Sequence, residues 1–310
     1  LLDADELKKI SFFCKENKLL MKILITGASS ILASRLVALL LESGKFSLRL
    51  LEHRSVASIE SCETISGDIT DPESLDRACQ GMDGVLHLAA LTHSCNNAEY
   101  FRVNREGTQN LINACKRKNV RRFVFISSVA ASEDGGAYGL SKLESEDRVC
   151  ESGLQWIILR PSEVYGPQMK EGIGELISWV KNLKFIPVVG DGSYCMSPVY
   201  IDDVVEAIAQ IVMNPDLINQ KLNLCGPEII PFREVIDRLS RFLEVRRNKI
   251  FIPIWIAKLG VSLASLMKLG SFTPDQIPRL LCRKDQDISQ TATVISYSPR
   301  KLEEGLREYL

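Results

Sequence analysis

Short apolar, β-rich runs alternate with helix-period segments through the first half of the chain. Residues 22–26, 47–52, 84–90, 122–128 and 156–161 read as strands, whereas 31–41, 72–79, 104–116 and 138–150 have helical composition and length. Such alternation predicts βαβ units and an α/β fold. The strands are apolar almost throughout rather than at every second position, as expected of a doubly wound parallel sheet covered by helices on both faces. After Tyr165, glycines, prolines and aromatic residues break the rhythm. The pattern therefore predicts a first lobe over 21–165, to which 196–214 return, and a smaller C-terminal substrate-binding lobe made of 166–195 and 215–310. Residues 1–20 read as an N-terminal extension, because Met21 opens the first strand.

One later stretch stands apart. FIPIWIAKLGVSLASLMKLG, residues 251–270, is the most apolar run of the chain, but Pro253 and Lys258 interrupt it. A spanning helix wants about 20 predominantly apolar residues, so this run predicts a buried or half-buried helix, with an interfacial membrane helix as the alternative. No transmembrane span is expected.

Composition narrows the function classes. The 310 residues carry 38 Lys and Arg against 39 Asp and Glu, so no overall field draws the protein to nucleic acid. The basic cluster at 116–122 has no interleaved aromatics and reads as a solvated helix end. Nine single cysteines without a Cys-x-x-Cys, and three histidines without a paired spacing, predict neither a disulfide framework nor a metal centre. A reducing, cytoplasmic setting is the expectation. His87, inside an apolar strand, reads as a satisfied core histidine.

Candidate chemistry begins at Thr26-Gly27-Ala28-Ser29-Ser30-Ile31-Leu32-Ala33, where a strand turns tightly into a helix. Glycine permits such a turn and lets backbone approach a pyrophosphate, which the helix N-terminus then stabilises. Only the first glycine of the dinucleotide pattern is present; Ser30 and Ala33 stand at the other two places, and the hydroxyls of Ser29 and Ser30 are candidate phosphate donors. Glu52, closing the second strand, is placed to accept from a ribose 2′-hydroxyl, whereas Arg54 would pair with a 2′-phosphate. Glu52 would repel that phosphate, which favours NAD over NADP. Asp68, followed by Ile69, is a candidate acceptor for an adenine amino group.

Tyr138 and Lys142, four apart, share a helix face. An ammonium there is expected to lower the phenol pKa and let tyrosine carry a proton. Ser127 and Ser128 end the preceding strand, and a hydroxyl at that place can polarise a carbonyl beside the tyrosine.

Taken in order, TGASSILA, GDITD, HLAA, NREGTQNL, FVFISS, YGLSK, LRPSEVYGP and PVYIDDVVEAI resemble the extended short-chain dehydrogenase/reductase family in its NAD-dependent epimerase/dehydratase branch, from Met21 onward. The resemblance implies a Rossmann core, a Ser128/Tyr138/Lys142 catalytic triad, and a cofactor site that adds Leu88, Ala89, Ala90, Pro161 and Val164. Arg283 matches a diphosphate-binding arginine of relatives that act on nucleotide sugars, while Met196 stands where a second one is usual. The implied function is an NAD(P)-dependent oxidoreductase or epimerase acting on a hydroxyl-bearing carbon, with a nucleotide sugar as the leading small-molecule substrate. A homodimer is left open. The alternative is a non-catalytic, cofactor-retaining assembly protein, similar to the branch that includes the complex I accessory subunit.

Overall fold

A computed structural model describes residues 20–53, 61–266 and 273–310; Arg54 and all but the last residue of the expected extension over 1–20 lie outside them. Seven parallel strands form the main sheet: β1 (Met21–Thr26), β2 (Phe46–Glu52), β3 (Glu63–Ser66), β4 (Gly84–His87), β5 (Arg122–Ile126), β6 (Gln155–Pro161) and β11 (Gln220–Leu224). Their order is β11-β6-β5-β4-β1-β2-β3, with every pairing parallel. The chain thus winds outward from β1 in one direction and from β4 in the other. The crevice between the ends of β1 and β4 is the topological switch point, where ligands bind in open α/β sheets.

The first-half helices start where the chain offers caps. α1 (Ile31–Glu42) is capped by Ser30, whose Oγ accepts from Ala33 N at 3.1 Å. α2 (Pro72–Cys79) begins with proline behind the Asp71 cap, which accepts from Glu73 N. α3 (Asn97–Tyr100) continues through wider π-helical turns at Phe101–Glu106 into α4 (Gly107–Arg117), so the expected helix over 104–116 starts earlier and in a different winding. α5 (Gly136–Cys150) follows β5. Strands β4 and β5 end at His87 and Ile126, short of the expected 90 and 128, because the chain turns out of the sheet there to form the crevice.

Beyond β6 come β7 (Val164–Tyr165), α6 (Ile173–Asn182), β8 (Phe185–Val189), β9 (Cys195–Met196), β10 (Val199–Tyr200) and α7 (Ile201–Met213). The buried face of α7, with Val204, Val205, Ile208 and Ile211, joins α1 in a core shared with the sheet. The expected second-lobe boundary at 215 needs correction: β11 pairs with β6 from Gln220 to Leu224, so this segment completes the main sheet. Its apolar Leu222 and Leu224 cover that edge of the core. The chain closes with β12 (Ile230–Pro231), α8 (Phe232–Phe242), β13 (Asn248–Ile252), α9 (Ile254–Leu266), α10 (Gln276–Leu281), α11 (Ser289–Ile295) and α12 (Leu302–Arg307).

The basic cluster divides between structural tasks. Arg117 pairs with Asp76 at 2.7 Å. Arg122 is buried and donates to the carbonyls of Ile211, Asn214 and Pro215, completing the C-terminal end of α7. Among the described residues no group of acidic, cysteine and histidine side chains could hold a metal ion.

Candidate active site

At the switch point the turn after β1 and the segment after β4 touch. Gly27 has φ +73°, and a Cβ built on it would lie 2.6 Å from Ala89 N and 2.8 Å from the Leu88 carbonyl carbon. Only glycine lets these two backbones approach so closely. Leu88 N donates to Thr26 O and Ala89 N to Thr26 Oγ1. Ser29 and Ser30 are exposed at the start of α1, with Ile31 and Leu32 half-buried behind them. Because the Ser30 oxygen caps its own helix as an acceptor, its hydroxyl proton remains able to donate.

Below this turn lies a buried chain of hydrogen bonds. His87 Nδ1 is 2.7 Å from Thr26 Oγ1, and His87 Nε2 is 3.0 Å from Thr108 Oγ1. Thr108 Oγ1 donates to Asn104 O at 2.6 Å, so it must accept from Nε2–H, and Thr26 donates to Nδ1. Burial, with the Lys142 charge nearby, drives the imidazole pKa down to about 3. The expectation of a satisfied core histidine describes this ring.

Asp68 follows β3, accepts from Thr70 N at 2.8 Å and stands 3.0 Å from His53 Nε2. Its carboxyl pKa is lowered: burial alone would raise it, and the Thr70 hydrogen bonds together with His53 outweigh that. Ile69 is buried against Gly107. Glu52 is half-buried at the end of β2.

On the other side of β4 the two serines after β5 part company. Ser127 donates to the fully buried Glu146 at 2.6 Å, and Arg160 grips the same carboxylate at 2.8 and 2.5 Å. Ser128 Oγ instead accepts from Ala130 N at 3.1 Å and lies near enough to the Tyr138 phenol to act on its pKa. Tyr138 is 8% exposed and Lys142 1%. Lys142 Nζ donates to Ile126 O at 2.7 Å and lies 4.0 Å from the centre of the Phe125 ring. Its burial pulls the ammonium pKa down to about 7, against the opposing charge of Glu146.

The expected tuning of Tyr138 by Lys142 needs correction. Burial raises the phenol pKa, and the cation that opposes it is Arg279, helped by the Ser128 hydroxyl, while Asp275 adds to the rise. Lys142 is committed to the Ile126 carbonyl and the Phe125 ring instead. The Arg279 guanidinium lies 4.7 Å from the centre of the Tyr138 ring and donates to Thr92 O at 3.1 Å.

The sequence profile of the NAD dependent epimerase/dehydratase family matches residues 23–225. The chain belongs to this family. A UDP-glucose 4-epimerase of Vibrio cholerae is 25% identical, with 94% of this chain and 95% of that protein aligned. Isoform 2 of the 3beta-hydroxysteroid-dehydrogenase/decarboxylase of Arabidopsis thaliana is also 25% identical, over 91% of this chain but 60% of its own length. The UDP-glucuronic acid 4-epimerase of Bacillus cereus, solved in complex with UDP-glucuronic acid and NAD, superposes with a TM-score of 0.72 at 25% identity, covering 93% of this chain and 97% of its own.

The epimerase/dehydratase crevice of this chain suits a dinucleotide. The approach of Gly27 to Ala89 opens backbone N–H groups at the start of a 12-residue helix, the arrangement that stabilises a pyrophosphate. Pro161 ends β6, where its carbonyl accepts from Val129 N, and Val164 lies in β7, paired with Val199.

Several site residues escaped the sequence reading. Asn104 accepts from Leu91 N at 2.7 Å and donates to Leu91 O and to Ser141 Oγ, which in turn donates to Tyr138 O. It ties the segment after β4 to the helix that carries the tyrosine. Asp275 accepts from Tyr138 N at 3.2 Å. Arg279 and Asp275 lie more than 130 positions from Tyr138, and no local spacing marks them. Arg283, the arginine singled out from sequence, is exposed in the loop after α10, and its neighbour Lys284 pairs with Glu163 at 2.6 Å. Met196 is buried in β9, paired with Ile230.

Proposed function

We propose that this chain is an NAD-dependent epimerase, dehydratase or dehydrogenase that acts at a hydroxyl-bearing carbon of a nucleotide sugar, with Ser128, Tyr138 and Lys142 as its catalytic residues. The bound dinucleotide supplies the hydride acceptor and donor. Gly27, Ser29, Ser30, Ile31 and Leu32 would hold its pyrophosphate, Glu52 a ribose hydroxyl, Asp68 and Ile69 the adenine, and Leu88, Ala89, Ala90, Pro161 and Val164 the nicotinamide half. Tyr138 Oη takes the proton from the substrate hydroxyl and returns it when the carbonyl is reduced, while Ser128 Oγ donates to that carbonyl oxygen. Lys142 Nζ, which now donates to Ile126 O, would hold the cofactor's ribose hydroxyls.

The observation that carries this reading is Tyr138 under the Arg279 guanidinium, with Ser128 near its phenol, on the same edge of the parallel sheet as the Gly27–Ala89 approach. A polar substrate is further supported by Asp275, whose Oδ1 accepts from Tyr138 N and whose Oδ2 is buried and unpartnered among the described residues. Hydroxyl-rich ligands can satisfy such an atom, whereas a sterol skeleton would leave it unpaired. Incubating the protein and NAD with UDP- and TDP-linked sugars and analysing products by mass spectrometry and NMR tests the reading. Epimerised, dehydrated or oxidised sugar is the expected result. NAD binding without turnover of any of them would favour the assembly-protein alternative.

A further inference from the structure

The apolar run at 251–270 does not go where its composition points. Instead of burying itself, α9 turns large apolar side chains outward. Trp255 is 68% exposed, Leu259 55% and Leu263 51%, and these recur at i, i+4 and i+8 with Ile256 beside them. Ala257 and Val261 are the half-buried residues on the opposite side. Gly260 faces open space, since a Cβ there meets nothing within 4 Å. The patch continues onto the edge strand pair: Phe185 of β8 and Ile250 of β13, which share a face, are each about half exposed, and Ile254 packs over Gly190 to join helix to strand pair.

A contiguous outward apolar face of this kind marks an interaction site. We propose that α9 and the β8/β13 edge dock in the interface of an anionic lipid bilayer. Three observations favour that occupant. The patch is rimmed by exposed Lys181, Lys184, Arg246 and Lys258, and across 181–191 and 244–263 only Asp191 and Glu244 are acidic, although the whole chain carries a net charge of −1. Tryptophan and phenylalanine beside lysine are the side chains that settle at the level of lipid headgroups. The helix has 13 residues, so at 1.5 Å per residue it is roughly 20 Å long, and no helix among the described residues is long and apolar enough to cross a membrane. It can lie on a bilayer but not pass through one. A second copy of the chain is a poorer occupant, because a two-fold contact would bring two basic rims together.

Flotation with phosphatidylcholine vesicles, with and without about 30% phosphatidylglycerol, reads the proposal directly and needs no turnover. The wild-type chain is expected to float with the anionic vesicles and to bind roughly tenfold less at about 500 mM salt than at about 50 mM. Trp255→Glu combined with Leu259→Glu should weaken flotation by about 100-fold or more, with thermal unfolding and NADH binding unchanged because both positions are exposed. Should that variant fold poorly, Lys184→Glu with Lys258→Glu should remove the preference for anionic lipid by about tenfold or more. Wild-type protein that stays in the aqueous fraction, or variants that float as it does, would overturn the proposal. So would a dimer in sedimentation analysis that Trp255→Glu dissolves while vesicle binding is unaltered.

Discussion

Arg279 lies over the ring of Tyr138, 4.7 Å from its centre, and is the cation that restrains the phenol pKa against burial. With burial the larger effect, the phenol holds its proton through neutral pH. Oxidation of a substrate hydroxyl, which needs the phenolate, should therefore quicken as pH rises. Arg279→Ala removes the restraint and should move the pH profile of kcat/KM to higher pH, with Arg279→Lys between the two. An unaltered profile would show that the guanidinium acts only in packing.

Tyr138→Phe removes one hydroxyl and keeps the ring under Arg279. Turnover should fall by the ~10²–10⁴ typical of lost acid–base catalysis, while thermal unfolding and NADH affinity persist. Steady-state kinetics beside a fluorescence titration checks both halves.

Gly27→Ala should be far more damaging than Ser30→Ala. The first places a Cβ 2.6 Å from Ala89 N at φ +73°, costing about 1–2 kcal/mol for the conformation alone and pushing the two backbones apart, so NADH binding should weaken by at least ~100-fold. The second loses the cap on Ala33 N, about 1 kcal/mol of stability, with modest loss of affinity. Isothermal titration with urea unfolding separates the two effects.

His87 makes the fold acid-sensitive. Its imidazole ionises near 6.5 when unfolded but is held down to about 3 when folded, so the unfolded chain gains a proton that the folded chain refuses. Stability is full above pH 6.5 and falls below it, by up to roughly 1.4 kcal/mol per pH unit toward pH 3. Urea midpoints measured at pH 7.5, 6, 5 and 4 should decline, and His87→Gln should flatten that decline.

Glu52→Ala should narrow the preference for NAD over NADP, because a carboxylate at the end of β2 repels a 2′-phosphate. Competition between the two reduced cofactors reads this, and a wild type that already prefers NADP would assign the dominant role to a basic neighbour.

Local regularities carried much of the protein. Apolar runs placed β1, β2, β5 and β6 to within two residues, because strands covered on both faces need nearly continuous apolar side chains. Ser30 and Asp71 set the starts of α1 and α2, since unpaired N–H groups at a helix end must find an acceptor within a few residues. Tyr138 and Lys142 share a face because both lie on one helix. Tertiary packing alone decided which cation meets the phenol, since Arg279 reaches it from a segment 141 positions away in sequence, while Lys142 turns to the Ile126 carbonyl. It likewise decided that Ser127 serves Glu146, and that β11 completes the main sheet. It also set α9 with its apolar side outward. Periodicity reports the neighbours a residue has along its own element, whereas a charge or an exposed face takes its meaning from neighbours that only the folded chain supplies.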